Sequence, residues 1–357
     1  MRLLYTLSFC VFSIDSNVNQ GYIGDDNDYQ YYCNLFVYIK GEKIVKKNVV
    51  RLNLIAVFML LFVLVACNNK TETVSSESGN KTQTLSYLGK EYKVPTQVKN
   101  IATASLEAME DAAVLGVKPV GSITVGGKIP SYLAKELDGA KSIGEKQQPN
   151  YEALLTLKPD VIMGTSKFQP DVVEKLNKMA PMLPVSHIAT NWEANLKLMA
   201  DLTKNKEKAE QIIGKFKEDA AKLKESLQPL KDKKVVVIRI RSGSINLYAD
   251  NAYFNPILYN DLGLTVPKEL QTLKAPVVSL EKFAEINPNY IFVQFAESEN
   301  ADKKQALEDL KKNPIWNSIQ AVKNKKVFVN AVDPMAQGGT AWSKIAFLKA
   351  AEQLKNK

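Results

Sequence analysis

Residues 204–228, "KNKEKAEQIIGKFKEDAAKLKESLQ", decide how the rest of the chain is arranged. Ala209, Ile212, Ile213, Phe216, Ala220, Leu223 and Leu227 recur at helical spacing, and most of the other positions are charged. The pattern predicts one amphipathic helix of roughly 35 Å, long enough to span a whole domain. Pro229 ends it. An isolated helix of this length between two segments of mixed strand and helix character reads as a strut joining two lobes.

Outward from the strut, "KKVVVIRIRSGSINLY" (233–248) begins as a buried strand and then sets Arg239 and Arg241 two residues apart. Strand side chains alternate, so both guanidinium groups leave the same face, towards something negative. On the other side, "NIATAS" followed by "LEAMEDAAVLGVKPVGSI" reads as strand, helix closed at Gly116, then strand. "LKPDVIMGTSKF" continues the pattern as helix end, turn and strand. The expected fold class is α/β: two Rossmann-like lobes with parallel-rich sheets, at 84–203 and 229–357, joined by the helix at 204–228. A chain of 357 residues is long enough for two ordinary cores.

The lobes share a segment. "YEALLTLKPDVIMGT" (151–165) aligns with "LEKFAEINPNYIFVQ" (280–294): Glu152 over Glu281, Leu154 over Phe283, Leu157 over Ile286, Pro159 over Pro288, Ile162 over Ile291. The apolar positions are packing and the prolines fix a helix-to-strand turn. Glu152 and Glu281 each fall in a first helical turn, where a carboxylate suits the helix dipole. Two equivalent exposed acids, one per lobe, also suit a partner built from two similar subunits.

The N-terminal region indicates export. Residues 52–66, "LNLIAVFMLLFVLVA", follow the basic "VKKNVVR" and run into Cys67, so 45–66 reads as a lipoprotein signal with Cys67 the acylated mature N-terminus. The alternative, a transmembrane helix, is disfavoured by the short apolar run and the missing basic stop-transfer flank. Residues 1–44 are acidic and tyrosine-rich where an export signal should begin, and "KGEKIV" can be encoded as a purine-rich ribosome-binding sequence before a GTG codon. Translation is therefore expected to start at Val45, with 1–44 a misannotated leader. An N-terminal mass reading back to Met1 would contradict this. Residues 67–83 are Ser-, Thr- and Asn-rich and read as a flexible tether.

The formal charge is +9; with the leader net −2 and the signal net +3, the exported part keeps +8. Cys10 and Cys33 lie in the leader, so the mature chain has no intrachain disulfide. His187 is the single histidine, which excludes multi-histidine metal sites. Any iron, zinc or manganese chemistry would need a pre-chelated metal or carboxylates alone.

With these features assembled, the chain resembles the helical-backbone substrate-binding lipoproteins of ABC importers for iron siderophores, haem and cobalamin, over roughly residues 83–357. Within that family, "GEKQQPN", "TSKF", "PVSHIATNWEANLKLMA", "VIRIR", "YFNPILYNDLGL", "NPIWNSIQAVKN" and "DPMAQGGTAWSKIAFLKAA" resemble the ferric-bacillibactin and enterobactin receptors of Gram-positive bacteria. The resemblance implies a non-catalytic receptor, anchored outside the membrane by lipid on Cys67, with no resident cofactor. It implies a ferric triscatecholate held by Lys146, Lys167, Arg239 and Arg241, with Lys274 a further basic position at the rim. It also implies docking on arginines of the permease dimer through Glu152 and Glu281. A monomer with small lobe movements, and no nucleic-acid partner, is expected.

The residues support part of this independently. Lys167 follows the apolar "DVIMG" and the arginines follow "VVVI", so all three fall near carboxyl ends of strands, where open α/β sheets bind ligands. Lys146 lies in a loop just before a helix. A ferric ion held by three doubly deprotonated catechols carries three net negative charges, and each cation near it contributes on the order of a few kcal/mol before desolvation. Catechol rings add cation–π contacts of roughly 0.5–2 kcal/mol. Each residue also has an ordinary reading: solvated surface for the lysines, a salt-bridged sheet edge for the arginines. His187 reads as a haem ligand, a cleft donor or a structural residue near a loop. A hydroxamate or citrate siderophore and haem remain alternative ligands. For an enzyme, Ser186 beside His187 is the only adjacent nucleophile–base pair, and neighbours in extended chain point apart. "QGGTAWSK" lacks a P-loop ending and reads as a helix start with close backbone packing.

Overall fold

The computed structural model describes residues 81–356, all within one compact unit. The leader, the signal, Cys67 and the tether up to residue 80 lie outside the described residues.

The chain opens with a hairpin, β1 (Thr82–Tyr87) and β2 (Lys90–Pro95), whose first strand begins inside the segment assigned to the tether. The first α/β layer then runs β3 (Ile101–Thr103), α1 (Leu106–Leu115), β4 (Gly121–Thr124), β5 (Lys141–Glu145), β6 (Gln148–Pro149), α2 (Tyr151–Leu157), β7 (Val161–Thr165), α3 (Pro170–Asn177) and β8 (Met182–Val185). Its sheet has the order β6-β5-β4-β3-β7-β8, parallel apart from β6. After α4 (Trp192–Thr203) comes the strut, α5 (Lys206–Ser226).

The second layer contains β9 (Val235–Arg241), β10 (Ser244–Asn246), α6 (Lys268–Gln271), β11 (Val277–Val278), α7 (Leu280–Ile286), β12 (Tyr290–Phe295), α8 (Ala306–Lys312), α9 (Pro314–Ser318), α10 (Gln320–Lys323), β13 (Val327–Val329) and α11 (Ala341–Ala351). The sheet order is β11-β10-β9-β12-β13, with β9, β12 and β13 parallel. The architecture is the expected parallel-rich α/β pair of sheets.

Helix α5 stops three residues before Pro229, and Gln228–Leu230 tightens into a 3₁₀ turn. Its 21 residues make a rod of about 32 Å. Ala209, Ile213, Phe216, Ala220 and Leu223 are buried along one side, so the stripe seen in the sequence is the packing face.

The internal repeat is visible as geometry. Both α2 and α7 are seven residues long and start with a capping side chain: Asn150 Oδ1 accepts from Ala153 N, and Ser279 Oγ from Lys282 N. Both end on a left-handed residue, Lys158 at φ 47° and Asn287 at φ 46°, which turns the chain into the next-to-last strand of its sheet. Glu152 and Glu281 are exposed at matching places in the two helices.

The C-terminal helix was not anticipated as a bridge. α11 packs against both α1 and α5. Glu110 on α1, fully buried, accepts from Thr340 Oγ1 and Ser343 Oγ at 2.5 Å each, Tyr132 Oη at 2.6 Å and Gln337 N at 2.8 Å. Asp111 accepts from Ala341 N at 3.3 Å. Two carboxylates from the first lobe thus hold the start of a helix assigned by sequence to the second. Beyond them, Lys344 pairs with Asp261 at 2.5 Å and lies 5.3 Å from the Trp192 ring and 5.2 Å from Phe216.

Candidate functional site

Strand β9 ends in a two-residue turn in which Ser242 (φ 48°) and Gly243 (φ 77°) are both left-handed, the geometry of a tight hairpin. The turn places Arg239 and Arg241 on one face at the carboxyl end of the strand. Their first negative partner belongs to the protein itself. Glu299 Oε2 accepts from Arg239 Nε at 2.7 Å, and Oε1 lies 3.3 Å from Arg241 Nη2. The Arg239 side chain is 6% exposed and that of Arg241 49%, so one arginine is part of the wall and the other reaches into solvent.

Glu299 is held firmly. It lies on a 3₁₀ turn after β12, where its carbonyl accepts from Ser242 N at 2.9 Å. Next to it, Asn300 donates to Ile240 O at 2.9 Å and accepts from Gly243 N at 3.0 Å.

The arginines face a cleft of about 730 Å³ whose opposite wall comes from the first lobe. That volume falls within the usual range for small-molecule sites, about 300–1,000 Å³. Lys167, two residues beyond β7, and Lys146 both line it. Lys146 is not in a loop leading directly into a helix; it starts the tight turn between β5 and β6, where Gln147 has φ 67°. Preceding it, Glu145 accepts from the amides of Gly126 and Gly127 at 3.0 and 2.8 Å, and so secures the loop "TVGGKIP". Although the Lys146 side chain reaches solvent, the protein around it lowers its ammonium pKa, chiefly by desolvation, and the exposure favours the charged form. Lys274 is exposed and is not among the residues lining the cleft.

His187 lines the cleft beside Lys167, a more specific position than a structural residue near a loop. Ser166 Oγ accepts from His187 N at 3.3 Å and bonds the ring Nδ1 at 2.8 Å. If the hydroxyl donates to Nδ1, the ring proton sits on Nε2. Burial, and then the Lys167 charge, lower the imidazole pKa, which favours the neutral ring. Ser186 has other partners, accepting from Ile188 N and Asn191 Nδ2.

Several cleft residues were missed by sequence reasoning. Glu107, in the first turn of α1, is buried at the cleft, and burial raises its carboxyl pKa while Lys167 and Lys146 pull it down. Tyr253 lies with its ring 5.4 Å from the Arg239 guanidinium and 4.8 Å from the Tyr248 ring. Gln337 and Met335 line the cleft from the segment before α11. Glu299 lies four residues past β12, on a 3₁₀ turn, and nothing local in the sequence sets it apart from a surface acid. Tyr253 lies in irregular chain and carries no local signal either.

"QGGTAWSK" is the close-packed helix start expected of it. A Cβ on Gly338 would fall 2.2 Å from Tyr253 O, and one on Gly339 3.1 Å from Ile188 O. Thr340 caps the helix by accepting from Ser343 N. A second groove of about 710 Å³ runs between α5 and α11, but its floor is apolar and its charges are rim lysines and acids, without the convergent buried polar groups of the cleft.

Two parallel-rich lobes joined by one long helix, with cations converging on the cleft between strand ends, define a two-lobed solute-binding protein. The chain belongs to the periplasmic binding protein family, which it matches over residues 101–331. It is 45% identical over 303 residues to the iron-uptake system-binding protein of Bacillus subtilis, across 83% of this chain and 96% of that protein. The crystal structure of the triscatecholate siderophore binding protein FeuA from Bacillus subtilis, complexed with ferri-bacillibactin, matches with a TM-score of 0.73 at 47% identity, over 77% of this chain and all of that one. Staphylococcus aureus SirA, complexed with staphyloferrin B, shares the fold at a TM-score of 0.67 and 24% identity, over 77% of this chain and 99% of its own.

Proposed function

We propose that this protein is the extracellular receptor of an ABC importer, capturing a ferric triscatecholate between its lobes and delivering it to a membrane permease. The observation that carries this reading is the convergence of Lys146, Lys167, Arg239 and Arg241 on one cleft. Against them stand two carboxylates, Glu107 and Glu299, so the cleft keeps an excess of positive charge for an anionic guest. At an effective dielectric near 20, a charge pair 4 Å apart is worth about 4 kcal/mol before desolvation, so several cations around a trianion give useful affinity. Arg241 brings a planar guanidinium suited to stacking on catechol planes, and Tyr248 and Tyr253 add aromatic lining to the cleft. The relation to a ferri-bacillibactin binder favours this ligand over a citrate, a hydroxamate or haem.

Lipid on Cys67 would tether the receptor to the outer face of the membrane, and the exposed Glu152 and Glu281 would dock on the two subunits of the permease. The protein itself would act as a binding component without catalysis. The test is tryptophan fluorescence, titrating ferric bacillibactin, ferric enterobactin, a ferric hydroxamate, ferric citrate and haem separately. Saturable quenching by the two catecholates at the lowest concentrations is expected. Tighter binding of citrate, hydroxamate or haem would overturn the assignment.

A further inference from the structure

Two neighbouring parallel strands deliver two side chains to the same wall of the cleft. β7 and β8 are in register at Thr165 and Val185, so Lys167 and His187 each stand two residues beyond a paired position, and both line the cavity. Lys167 belongs to the cationic set, whereas His187 is a neutral group among charges. Its backbone is fixed from behind. Tyr87 Oη accepts from Ser186 N at 2.8 Å, and Ser186 O accepts from Asn195 Nδ2 at 2.8 Å. Asn195, fully buried, also donates to Gly339 O at 3.0 Å, which ties this wall to the segment before α11.

The His187 side chain, by contrast, is exposed, so a guest in the cleft can reach it. Its Nδ1 is turned to Ser166 Oγ at 2.8 Å, and Ser166 is not among the residues lining the cleft. Nε2, across the ring, is therefore the nitrogen on the open side. Ser166 Oγ accepts from the amide of His187 at 3.3 Å, which leaves the hydroxyl proton for Nδ1. With Nδ1 an acceptor, a neutral imidazole carries its proton on Nε2, and burial followed by the Lys167 charge favours the neutral ring. His187 thus presents an N–H to the cavity. The lone pair that haem iron would need is turned away.

We infer that His187 is a ligand-binding residue whose Nε2–H donates to an oxygen of the bound ferric chelate beside Lys167, with Ser166 the positioning residue that sets the tautomer. This rests on the catecholate reading above. An iron-bound catecholate oxygen is an acceptor that fits, since it keeps lone pairs and negative charge while coordinating the metal. A neutral donor also adds direction to a site otherwise described by charges: an ammonium attracts an oxygen from many sides, whereas an imidazole N–H rewards one line of approach.

His187 is the single histidine of the sequence, so its ring nitrogens give one assignable pair of signals in the nitrogen-15 NMR spectrum of untagged protein. Near neutral pH the proton should sit on Nε2. Gallium bacillibactin, a diamagnetic probe of the same charge as the ferric complex, should shift Nε2 and slow the exchange of its proton. Affinity for ferric bacillibactin is then compared in His187→Asn, whose short amide can keep the Ser166 contact, and His187→Gln, whose longer amide brings an N–H close to the place of Nε2. The asparagine variant should lose about tenfold, the scale of a hydrogen bond to a charged acceptor, and the glutamine variant should stay within about threefold of wild type, both with unchanged melting temperatures. A purely structural role would follow the Ser166 contact and favour asparagine. A proton on Nδ1, an asparagine variant within about twofold of wild type, or a glutamine variant no better than asparagine would overturn the inference while leaving the receptor assignment intact. Failure of the wild type to bind ferric catecholate would overturn both.

Discussion

Glu299→Gln isolates the anion that holds the two arginines. The Arg239–Glu299 pair is 2.7 Å long with side chains 6% and 12% exposed, so removing the carboxylate charge leaves a guanidinium buried without a counter-ion. Breaking a buried pair by removing one partner costs about 3–5 kcal/mol. The glutamine oxygen still accepts from Nε, returning about 1 kcal/mol. The contact with the half-exposed Arg241, at 3.3 Å, was worth about 1 kcal/mol or less. The net loss should be roughly 2–5 kcal/mol, which for a domain of this size lowers the melting temperature by about 5–15 °C.

A ferric triscatecholate brings its own negative charge to these arginines. Saturating ligand should therefore return most of the lost stability, so the ligand-induced rise in melting temperature should be larger in Glu299→Gln than in wild type. Thermal melts followed by circular dichroism, with and without ferric bacillibactin, measure both quantities. If the ligand-free variant melts within a degree or so of wild type, or if saturating ligand leaves the gap unchanged, the electrostatic account of the cleft is wrong.

Glu110 gives a pH signature. Burial raises its carboxyl pKa from 4.5 to about 7, against the pull of its Ser343, Thr340, Tyr132 and Gln337 donors. A carboxyl raised by folding leaves the native state holding more protons, so the contribution of Glu110 to stability is fullest below pH 4.5 and is lost as pH rises towards 7, about 3 kcal/mol in all. Glu110→Gln should flatten that decline in urea melts between pH 5 and 8; an unchanged slope would exclude Glu110 as its source. Lys344→Ala should cost about 3 kcal/mol, because it removes a buried cation held by Asp261, Trp192 and Phe216, and Lys344→Met should cost less by keeping the stem against the rings. Equal losses in the two variants would show that packing plays no part. Gly338→Ala forces a Cβ to within 2.2 Å of Tyr253 O and should lower both stability, by about 1–3 kcal/mol, and catecholate affinity, measured by melting and titration on the same sample.

Much of this arrangement can be read directly from local pattern. The stripe from Ala209 to Leu223 specifies α5, and the paired segments around Glu152 and Glu281 specify the shared helix, left-handed cap and strand, because both depend on periodicity and capping within a few residues. The same holds for Lys167 and the two arginines, since strand ends are where such folds expose side chains. Contacts between distant segments were less legible. Glu299 is one of 38 acidic residues in the sequence and looks like solvated surface until its turn is seen tied to β9. Glu110 looks like the polar side of an amphipathic helix, yet it is buried because α11 returns to cover it. Tyr253 depends on a left-handed backbone at φ 55° and on Gly338, some eighty residues later in the chain. No periodicity encodes that meeting.

The central claim is that the four cations of the cleft surround an anionic iron chelate. A crystal of the protein grown with ferric bacillibactin, measured at the iron absorption edge, tests it most directly through the anomalous difference map. One strong peak between Lys146 and Lys167 on one wall and Arg239 and Arg241 on the other is the result expected. A peak in the groove between α5 and α11, or a cleft without iron in a crystal that contains it elsewhere, would contradict the account.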